Sequence, residues 1–300
     1  MRVLVTGASG LLGRALVQAL REHGHNVRRL GRGGDVEHVW DPERGILPPA
    51  ASVSLDAVVH LAGASVAGLW TAGRRRAIRD SRVHGTRLLC DCLAAQPEPP
   101  PTLLSASAVG YYGDRADMPL PEDSESGTGF LAETCLEWER ATQPAAQRGV
   151  RVVRLRLGVV LTAAGGALPR MLPVFRAGLG GRLGNGRQFM SWITLDDAVA
   201  AMEHALVTTN LRGAVNVVAP QAVTNADFTR TLARVLGRPA WLPVPAPVLR
   251  MLLGAMADEM LLASARAVPQ QLEATGFRFH AATLEEALRQ QLGRPVRTGA

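Results

Sequence analysis

Lysine is absent from this chain. All 33 basic residues are arginine, set against 26 acidic residues, and the formal net charge is +7. A nucleic-acid-binding protein clusters its basic residues on one face or stripe. Here the arginines are spread along the chain and mixed with acids, so we do not expect nucleic acid as a partner.

Cysteine and long apolar runs are also scarce. Cys90, Cys92 and Cys135 form neither a disulfide framework nor a CxxC pair, which suits a reducing compartment. No segment approaches the roughly 20 apolar residues of a membrane span. The first apolar run is too short for a signal peptide. We therefore expect a cytoplasmic protein without a membrane partner.

The residue types of several common catalytic sites are missing at the required spacings. His60 and His84 have no partners at metal-ligand spacing, so we expect no metal. The chain contains neither a nucleophile elbow nor a P-loop. These absences leave few chemistries open, and direct attention to the glycines near the start.

Three glycines follow a short apolar run and precede a helical stripe: Gly7, Gly10 and Gly13. Gly7 would allow a tight turn, Gly10 would let the backbone approach a pyrophosphate, and Gly13 would let the helix pack closely on the strand. The helix N-terminus offers unpaired N–H groups to an anion. The pattern predicts a dinucleotide site formed by these glycines, with Leu11 and Leu12 between them.

The second predicted strand, Asn26 to Leu30, ends at Gly31 and Arg32. An NAD-binding unit usually carries Asp or Glu here for the ribose 2′-hydroxyl. Arginine instead can grip a 2′-phosphate with two hydrogen bonds. We interpret Arg32, with Gly31 beside it, as favouring NADP(H); the alternative is a surface arginine in an arginine-rich chain.

Further strand-like and helix-like segments alternate along the chain. This alternation predicts an α/β fold with a Rossmann-like, doubly wound parallel sheet. We expect residues 1–162 to form an NADP-binding domain to which segments such as 190–220 return. Residues 163–300 would form a smaller α+β substrate-side and C-terminal region.

Local patterns give finer expectations. We predict one helix from about Leu131 to Arg148, and a helix whose N-cap is Thr194, with Asp197 in its first turn. An apolar helix should start at Val248, with its Met and Leu stripe packed in the core. The glycine-rich stretch from 178 to 186 is predicted to be a mobile loop over a cleft.

Several motifs together resemble the extended short-chain dehydrogenase/reductase superfamily. They are Thr6-Gly7-x-x-Gly10-x-x-Gly13, His60-Leu61-Ala62-Gly63, and Ser105-Ala106-Ser107 followed by Tyr112-Gly113-Asp114. Other segments resemble its atypical "epimerase family" branch, which carries a small C-terminal domain of unknown function: Leu69-Trp70, Trp138-Glu139 and the tail at approximately 247–292.

The resemblance implies NADP(H) bound across the carboxyl edge of the sheet. By position, Leu61 and Ala62 would lie under the adenosine and ribose. Arg82 would lie near the cofactor, and Val160 near its nicotinamide end. It also implies a small-molecule substrate of unknown identity. The oligomeric state stays open, a homodimer included.

The superfamily's proton-transfer chemistry uses a tyrosine, a lysine four residues later, a serine or threonine, and an asparagine. Spacing of four on a helix lets the ammonium lower the tyrosine pKa. This chain has no lysine, and Arg82 stands at the asparagine position. Ser107 is retained, but the two tyrosines, Tyr111 and Tyr112, lie beside the serine strand.

Two hypotheses follow. In the first, the protein is an oxidoreductase or epimerase whose acid is Tyr111 or Tyr112 with Ser107, or Glu133. Its small carbonyl or sugar-like substrate would lie under the 178–186 loop, with Arg187 as a contact for an anion. In the second, the protein binds NADP(H) without turnover, as a sensor or interaction protein. The missing pair favours the second, whereas Ser107 and the substrate region favour the first.

Overall fold

A parallel sheet is the centre of this computed structural model, which describes residues 1–295. Within those residues, seven strands form the main sheet. They are β1 (Arg2–Thr6), β2 (Asn26–Gly31), β3 (His38–Val39), β4 (Ala57–His60), β5 (Thr102–Ala108), β7 (Arg151–Leu157) and β11 (Gly213–Val217). Six shorter strands pair outside it: β6 (Pro119–Leu120), β8 (Val159–Leu161), β9 (Phe189–Met190), β10 (Trp192–Thr194), β12 (Val223–Thr224) and β13 (Arg266–Ala267).

The strand order of the main sheet is β3-β2-β1-β4-β5-β7-β11, and every neighbouring pair is parallel. The chain winds outward from β1 in one direction and then from β4 in the other. The order therefore reverses between β1 and β4, and ligands of open α/β sheets bind beyond the carboxyl ends of the strands at such a point. The predicted doubly wound Rossmann-like sheet is confirmed.

Residues 1–295 form eleven helices, and some of them cover the two faces of this sheet. In chain order they are α1 (Leu11–Glu22), α2 (Pro49–Ser52), α3 (Ala72–Ala94), α4 (Phe130–Arg140), α5 (Gln143–Gln147), α6 (Leu168–Arg176), α7 (Leu195–Val207), α8 (Asn225–Leu236), α9 (Ala246–Leu253), α10 (Gln270–Ala274) and α11 (Leu284–Gln291). Two further turns are a 3-10 turn at Val109–Tyr112 and a π-helical turn at Ala257–Leu262.

Alternation along the strands divides the core into two layers. Val3 and Val5 of β1 pack with α1 and α7, whereas Leu4 between them packs with α3 and α5. All three side chains are fully buried. Successive residues of a strand point to opposite faces, so a sheet covered on both sides needs apolar residues at every position. This explains the unbroken apolar run at the start of the chain.

A second apolar core joins α6, α8 and α11, with Leu172, Phe228 and Leu288 among its buried residues. After β7 the chain leaves the main sheet to form β8. It returns to the sheet at β11, by way of β10 and α7. The N-caps of α7 and α8 are Thr194 and Thr224, whose side chains accept hydrogen bonds from the N–H groups three residues on. The Thr194 cap was predicted and is confirmed.

Three local predictions need correction. The helix predicted over 131–148 is split into α4 and α5, since Pro144 at the start of α5 lacks an N–H to continue the first helix. The segment after residue 162 contains a helix, α6, that was not predicted. The stripe of α9 is not core, because Met251 is 78% exposed and Leu252 is 59% exposed.

Candidate cofactor and catalytic site

The turn between β1 and α1 has room only for glycine at two positions. Gly7 has φ +67°, and a Cβ there would lie 2.7 Å from the Leu61 carbonyl. A Cβ on Gly13 would lie 2.2 Å from the Gly7 carbonyl oxygen. That same oxygen accepts from the Gly10 N–H at 2.9 Å. The chain is therefore folded tightly enough to bring a ligand against the N-terminus of α1.

This turn forms one wall of a cavity of about 660 Å³. Six residues predicted to bind the cofactor line it: Gly7, Gly10, Gly31, Arg32, Leu61 and Ala62. The volume lies within the range of small-molecule and cofactor sites. Its position is the carboxyl edge of β1, β2 and β4, where the strand order reverses. The cavity and its glycine wall fit a dinucleotide.

Five other residues of the predicted cofactor set lie outside the lining of this cavity: Leu11, Leu12, Gly13, Arg82 and Val160. Leu12 and Val160 pack partly against the core beneath α1. Leu11 contacts the loop after β8, because a Cβ on Gly165 would lie 3.1 Å from its Cδ1. A Cβ on Gly166 would lie 3.6 Å from the Val160 carbonyl oxygen, so this loop joins Leu11 and Val160.

A buried hydrogen-bond network fixes the floor of the cavity. The Thr6 hydroxyl accepts from the backbone N–H groups of Leu61 and Ala62, both at 3.2 Å. Its own hydrogen is then directed to Nδ1 of His60 at 2.7 Å. His60 must therefore carry its hydrogen on Nε2, which donates to the Thr86 hydroxyl at 2.8 Å. Burial lowers the pKa of His60 to about 4, which keeps the ring neutral.

This network extends to α4, since Nε1 of Trp138 also donates to the Thr86 hydroxyl, at 2.9 Å. It links the strand that begins the cofactor turn with the helices on the other face of the sheet. Thr6, Thr86 and Trp138 were not predicted as site residues. The threonine before a glycine turn was visible in the sequence, but its partners lie 54 and more residues away.

The acids near the end of β2 are neutralised by Arg29. Its guanidinium bonds Glu37 at 2.9 Å and Asp35 at 3.2 Å. The hydrogen bond from Arg29 lowers the pKa of Glu37 to about 2. Arg32 is exposed at the cavity, and within residues 1–295 it lies in no ion pair. This leaves its charge available to a ligand.

Arg76 of α3 is a second cation at the cavity, which sequence reasoning missed. It belongs to a run of three arginines, and the sequence alone does not show which of their side chains faces the cavity. Two carboxylates, Glu43 and Asp80, also line the cavity. The end of the cavity near β2 and α3 is therefore polar and carries both signs of charge.

Arg82 lies directly behind the cavity wall. Its Nη1 donates to the carbonyl oxygens of Ala64 and Ile78, each at 3.0 Å. A Cβ on Gly63, which lines the cavity, would lie 3.4 Å from the Arg82 Cζ. Its guanidinium also lies 5.1 Å from the Trp138 ring centre. Burial lowers the pKa of Arg82, and no carboxylate pairs with it in the described part of the chain.

Ser107, at the end of β5, is buried and faces a carboxylate. Its hydroxyl donates to Oε1 of Glu139 at 2.8 Å. Arg156 holds the same carboxylate through two bonds, Nε to Oε1 at 2.8 Å and Nη2 to Oε2 at 3.0 Å. Bidentate pairing of this kind fixes the carboxylate in one orientation. The serine hydroxyl is therefore oriented by a buried ion pair.

The two predicted acid tyrosines lie around the same arginine. The Tyr112 side chain is fully buried, and its hydroxyl donates to Oδ1 of Asn216 at 2.7 Å while it accepts from Arg156 Nη1 at 2.9 Å. Burial raises the pKa of Tyr112. Tyr111 is half-buried, with its ring centre 3.5 Å from Cζ of Arg156.

The structure thus brings the three predicted catalytic residues into one cluster. In it, the hydroxyl groups of Ser107 and Tyr112 are hydrogen-bonded to other side chains of the protein. Tyr112 has both roles of its hydroxyl occupied by protein groups, so the expectation that it donates a proton to a substrate is not supported by its geometry. Glu139 and Arg156 complete the cluster and were missed as site residues. Their signals in the sequence were the alternating arginines of β7 and the Trp138-Glu139 motif.

The remaining candidates are exposed. Glu133 lies in the first turn of α4, and Arg187 lies beside the 178–186 loop. That loop is hydrogen-bonded to the proline-rich link before α9, through Leu242 N to Gly180 O and Gly184 N to Val244 O. Among residues 1–295, no group of three His, Cys, Asp or Glu side chains could hold a metal ion. No described helix combines the length and hydropathy needed to cross a membrane.

Comparison with known proteins identifies the family of this chain. The sequence model of the NAD dependent epimerase/dehydratase family matches residues 3–218. The chain belongs to this family. A domain of unknown function, DUF1731, matches residues 244–291, close to the 247–292 tail predicted above. The resemblance to an atypical branch with a small C-terminal domain is therefore confirmed.

Relatives in other organisms share nearly the whole length. The chain is 46% identical over 297 residues to an epimerase family protein of Mycobacterium tuberculosis, covering 98% of both chains. The crystal structure of human epimerase family protein SDR39U1 with NADPH is similar, with 33% identity, a TM-score of 0.90, and coverage of 98% of this chain and 99% of that one. A UDP-galactose 4-epimerase structure shares only the fold, at 22% identity and TM-score 0.73 over 97% of each chain.

Proposed function

We propose that this family member binds NADP(H) rather than NAD(H) in the 660 Å³ cavity. The observation that carries the proposal is the exposed Arg32 at the cavity end of β2, where Asp35 and Glu37 already pair with Arg29. A dianionic 2′-phosphate suits Arg32 with Arg76 in reach of the same cavity. The NADPH in the human relative's structure supports the same choice.

The remaining residues would each contact a different part of the cofactor. The N-terminus of α1 and the backbone of Gly7 and Gly10 would bind the pyrophosphate. Leu61 and Ala62, held by Thr6, would support the adenosine and ribose. The half-buried cation of Arg82 lies towards α4, so it would act on the nicotinamide half through the wall at Gly63.

We propose that the bound cofactor serves an oxidoreductase or epimerase acting on a small carbonyl or sugar-like substrate. NADPH supplies hydride when bound. Ser107 is the residue of this chain best suited to hold a substrate oxygen. Because its hydrogen is directed to Glu139, its lone pairs are left to accept from a substrate hydroxyl. This arrangement favours binding of an alcohol, with the ion pair of Glu139 and Arg156 keeping the serine in place.

A non-catalytic role is the second candidate. The chain lacks the lysine, and Tyr112 has both of its hydrogen-bonding roles occupied inside the protein. A cofactor-binding sensor needs no proton donor, so these two observations favour it. The two candidates share the NADP(H) site and differ only in turnover.

Thermal unfolding tests the cofactor choice. NADP⁺ at a given concentration should raise the melting temperature more than NAD⁺, because only a ligand bound tightly by the native state stabilises it at low concentration. Equal shifts would contradict the assignment of Arg32.

Turnover is tested separately by incubating the NADP⁺ complex with a panel of alcohols and sugars and following the absorbance of the reduced nicotinamide. A rise in absorbance that is slowed in Ser107→Ala and unchanged in Tyr112→Phe is expected for the enzyme. No reduction of NADP⁺ across the panel, with NADP⁺ still bound, would favour the sensor.

A further inference from the structure

A second depression lies on the α4–α5 side of the main sheet, over β7 and the edge strand β11. It consists of two adjoining cavities of about 670 and 450 Å³. Glu139, Arg140, Arg154 and Arg212 line both of them. We call this depression the arginine groove. It shares no lining residue with the cofactor cavity.

Strand alternation explains why arginines face this groove. Val153 and Leu155 of β7 point to the core beneath α1 and α7. Arg154 therefore points to the opposite face. A Cβ on Gly213, whose φ is +80°, would lie 3.7 Å from Nη2 of Arg154, so the guanidinium lies against the start of β11. Arg140 enters from the end of α4 and Arg212 from the residue before β11.

Positive charge is in excess in the groove, which is lined by five arginines and three carboxylates: Arg140, Arg151, Arg154, Arg156 and Arg212, with Glu122, Asp123 and Glu139. Within residues 1–295, neither Arg140 nor Arg212 lies within 4.0 Å of a carboxylate oxygen. Arg154 reaches only one, Oε2 of Glu139 at 3.9 Å, and that carboxylate is already bonded by Arg156. Burial and then the nearby charge of Arg212 lower the pKa of Arg151, which lines the same depression.

The floor of the 450 Å³ cavity holds a polar atom without a partner. Glu122 is 8% exposed, and its Oε2 makes no hydrogen bond within the described residues, whereas Oε1 accepts from two backbone N–H groups. Buried polar atoms are nearly always hydrogen-bonded. Burial raises the pKa of Glu122, and the backbone N–H groups of Asn216 and Gln271 act in the opposite direction.

We propose that the arginine groove is a binding site for a small phosphorylated molecule, separate from the dinucleotide cavity. Three guanidinium groups from a helix, a strand and a loop converge on it, and arginine binds phosphate oxygens through paired hydrogen bonds. The volumes of the two cavities suit a metabolite rather than a macromolecule. The buried ion pair of Glu139 and Arg156 would lie between such a ligand and Ser107, because Glu139 accepts hydrogen bonds from both Ser107 and Arg156.

Titration calorimetry with inorganic pyrophosphate tests this site, using the full chain saturated with NADP⁺ so that the dinucleotide cavity is filled. We expect one binding event that weakens as salt is raised. Arg212→Gln alters an exposed side chain and should preserve the fold. It should weaken the affinity by about tenfold, and Arg154→Gln/Arg212→Gln by more. Arg170→Gln, an exposed arginine of α6, removes the same charge and should leave the affinity unchanged.

Two results would overturn the proposal. One is the absence of any binding to the wild-type protein. The other is binding that Arg212→Gln and the double variant leave as tight as in the wild type, which would assign the pyrophosphate to another surface. Arg32→Asp separates this test from that of the cofactor site, because it should change NADP⁺ affinity and leave the groove as it is.

Discussion

The Ser107 hydroxyl and the Glu139 carboxylate are joined by a buried hydrogen bond of 2.8 Å. The same carboxylate is held by Arg156, whose guanidinium also lies against Tyr111 and bonds the hydroxyl of Tyr112. This cluster contains the three residues predicted to be catalytic, Ser107, Tyr111 and Tyr112. It places an arginine from the sheet, not a lysine from a helix, beside the retained serine.

Breaking the ion pair between Glu139 and Arg156 should substantially lower the free energy of unfolding. Glu139→Gln leaves Arg156 buried without a countercharge, which typically costs about 3–5 kcal/mol. Urea unfolding should show a midpoint lowered accordingly. Glu137→Gln, two residues earlier on α4, removes the half-exposed partner of Arg79 and should cost about 1 kcal/mol or less. Equal losses in the two variants would contradict the structural role of Glu139.

The close approach at Gly13 predicts that a larger residue there will weaken NADPH binding. Gly13→Ala would place a Cβ 2.2 Å from the Gly7 carbonyl oxygen, so the turn or α1 must shift. NADPH affinity should fall by at least about tenfold, since the backbone that we propose binds the pyrophosphate moves. Gly85→Ala in α3 is the matched control, because its Cβ would meet only ordinary contacts, at 3.7 Å from Trp40. That variant should bind NADPH normally and be slightly stabilised.

His60 predicts a pH dependence of stability. Its pKa is about 4 in the folded protein, below the ordinary value near 6.5. The unfolded chain therefore takes up a proton at higher pH than the folded one. The stabilising contribution is complete above about pH 6.5 and is lost as the pH falls to about 4, by about 3 kcal/mol at most. His60→Asn should remove this part of the pH profile of urea unfolding; an unchanged profile would contradict the neutral, buried ring.

Arg82 should act on only one half of the cofactor. Arg82→Met should weaken NADPH binding by about tenfold, yet leave the affinity for 2′,5′-ADP, which lacks the nicotinamide half, unchanged. Arg82→Lys should restore part of the loss by returning the charge. Arg79→Met, one turn earlier on α3 and paired with Glu137 on the surface, is the control. A parallel loss of 2′,5′-ADP would place Arg82 at the adenosine end instead.

Much of the framework could be read from the sequence, because periodicity and glycine spacing are local. The apolar run of β1, the turn from Gly7 to Gly13 and the end of β2 at Arg32 predicted the fold and the cofactor wall. What the sequence could not show were contacts between distant segments. Thr6 meets His60 across 54 residues, and Tyr112 meets Asn216 across 104.

The errors have physical causes. Tyr112 was predicted as a candidate acid from its place beside the serine strand, yet the partners of its hydroxyl come from β7 and β11. The stripe of α9 has the composition of a core helix, and in the structure only Leu249 of that helix is buried. Composition alone gives no information about which surface an apolar helix meets.

We propose that Arg32 selects the 2′-phosphate of NADP(H). The most direct measurement is the dissociation constants of NADPH and NADH for the wild-type protein and Arg32→Asp, followed by the fluorescence of the reduced nicotinamide. Wild-type protein should prefer NADPH, and Arg32→Asp should weaken NADPH by about tenfold to a hundredfold while changing NADH little. Equal changes for the two cofactors, or a wild-type protein that binds both alike, would contradict the claim.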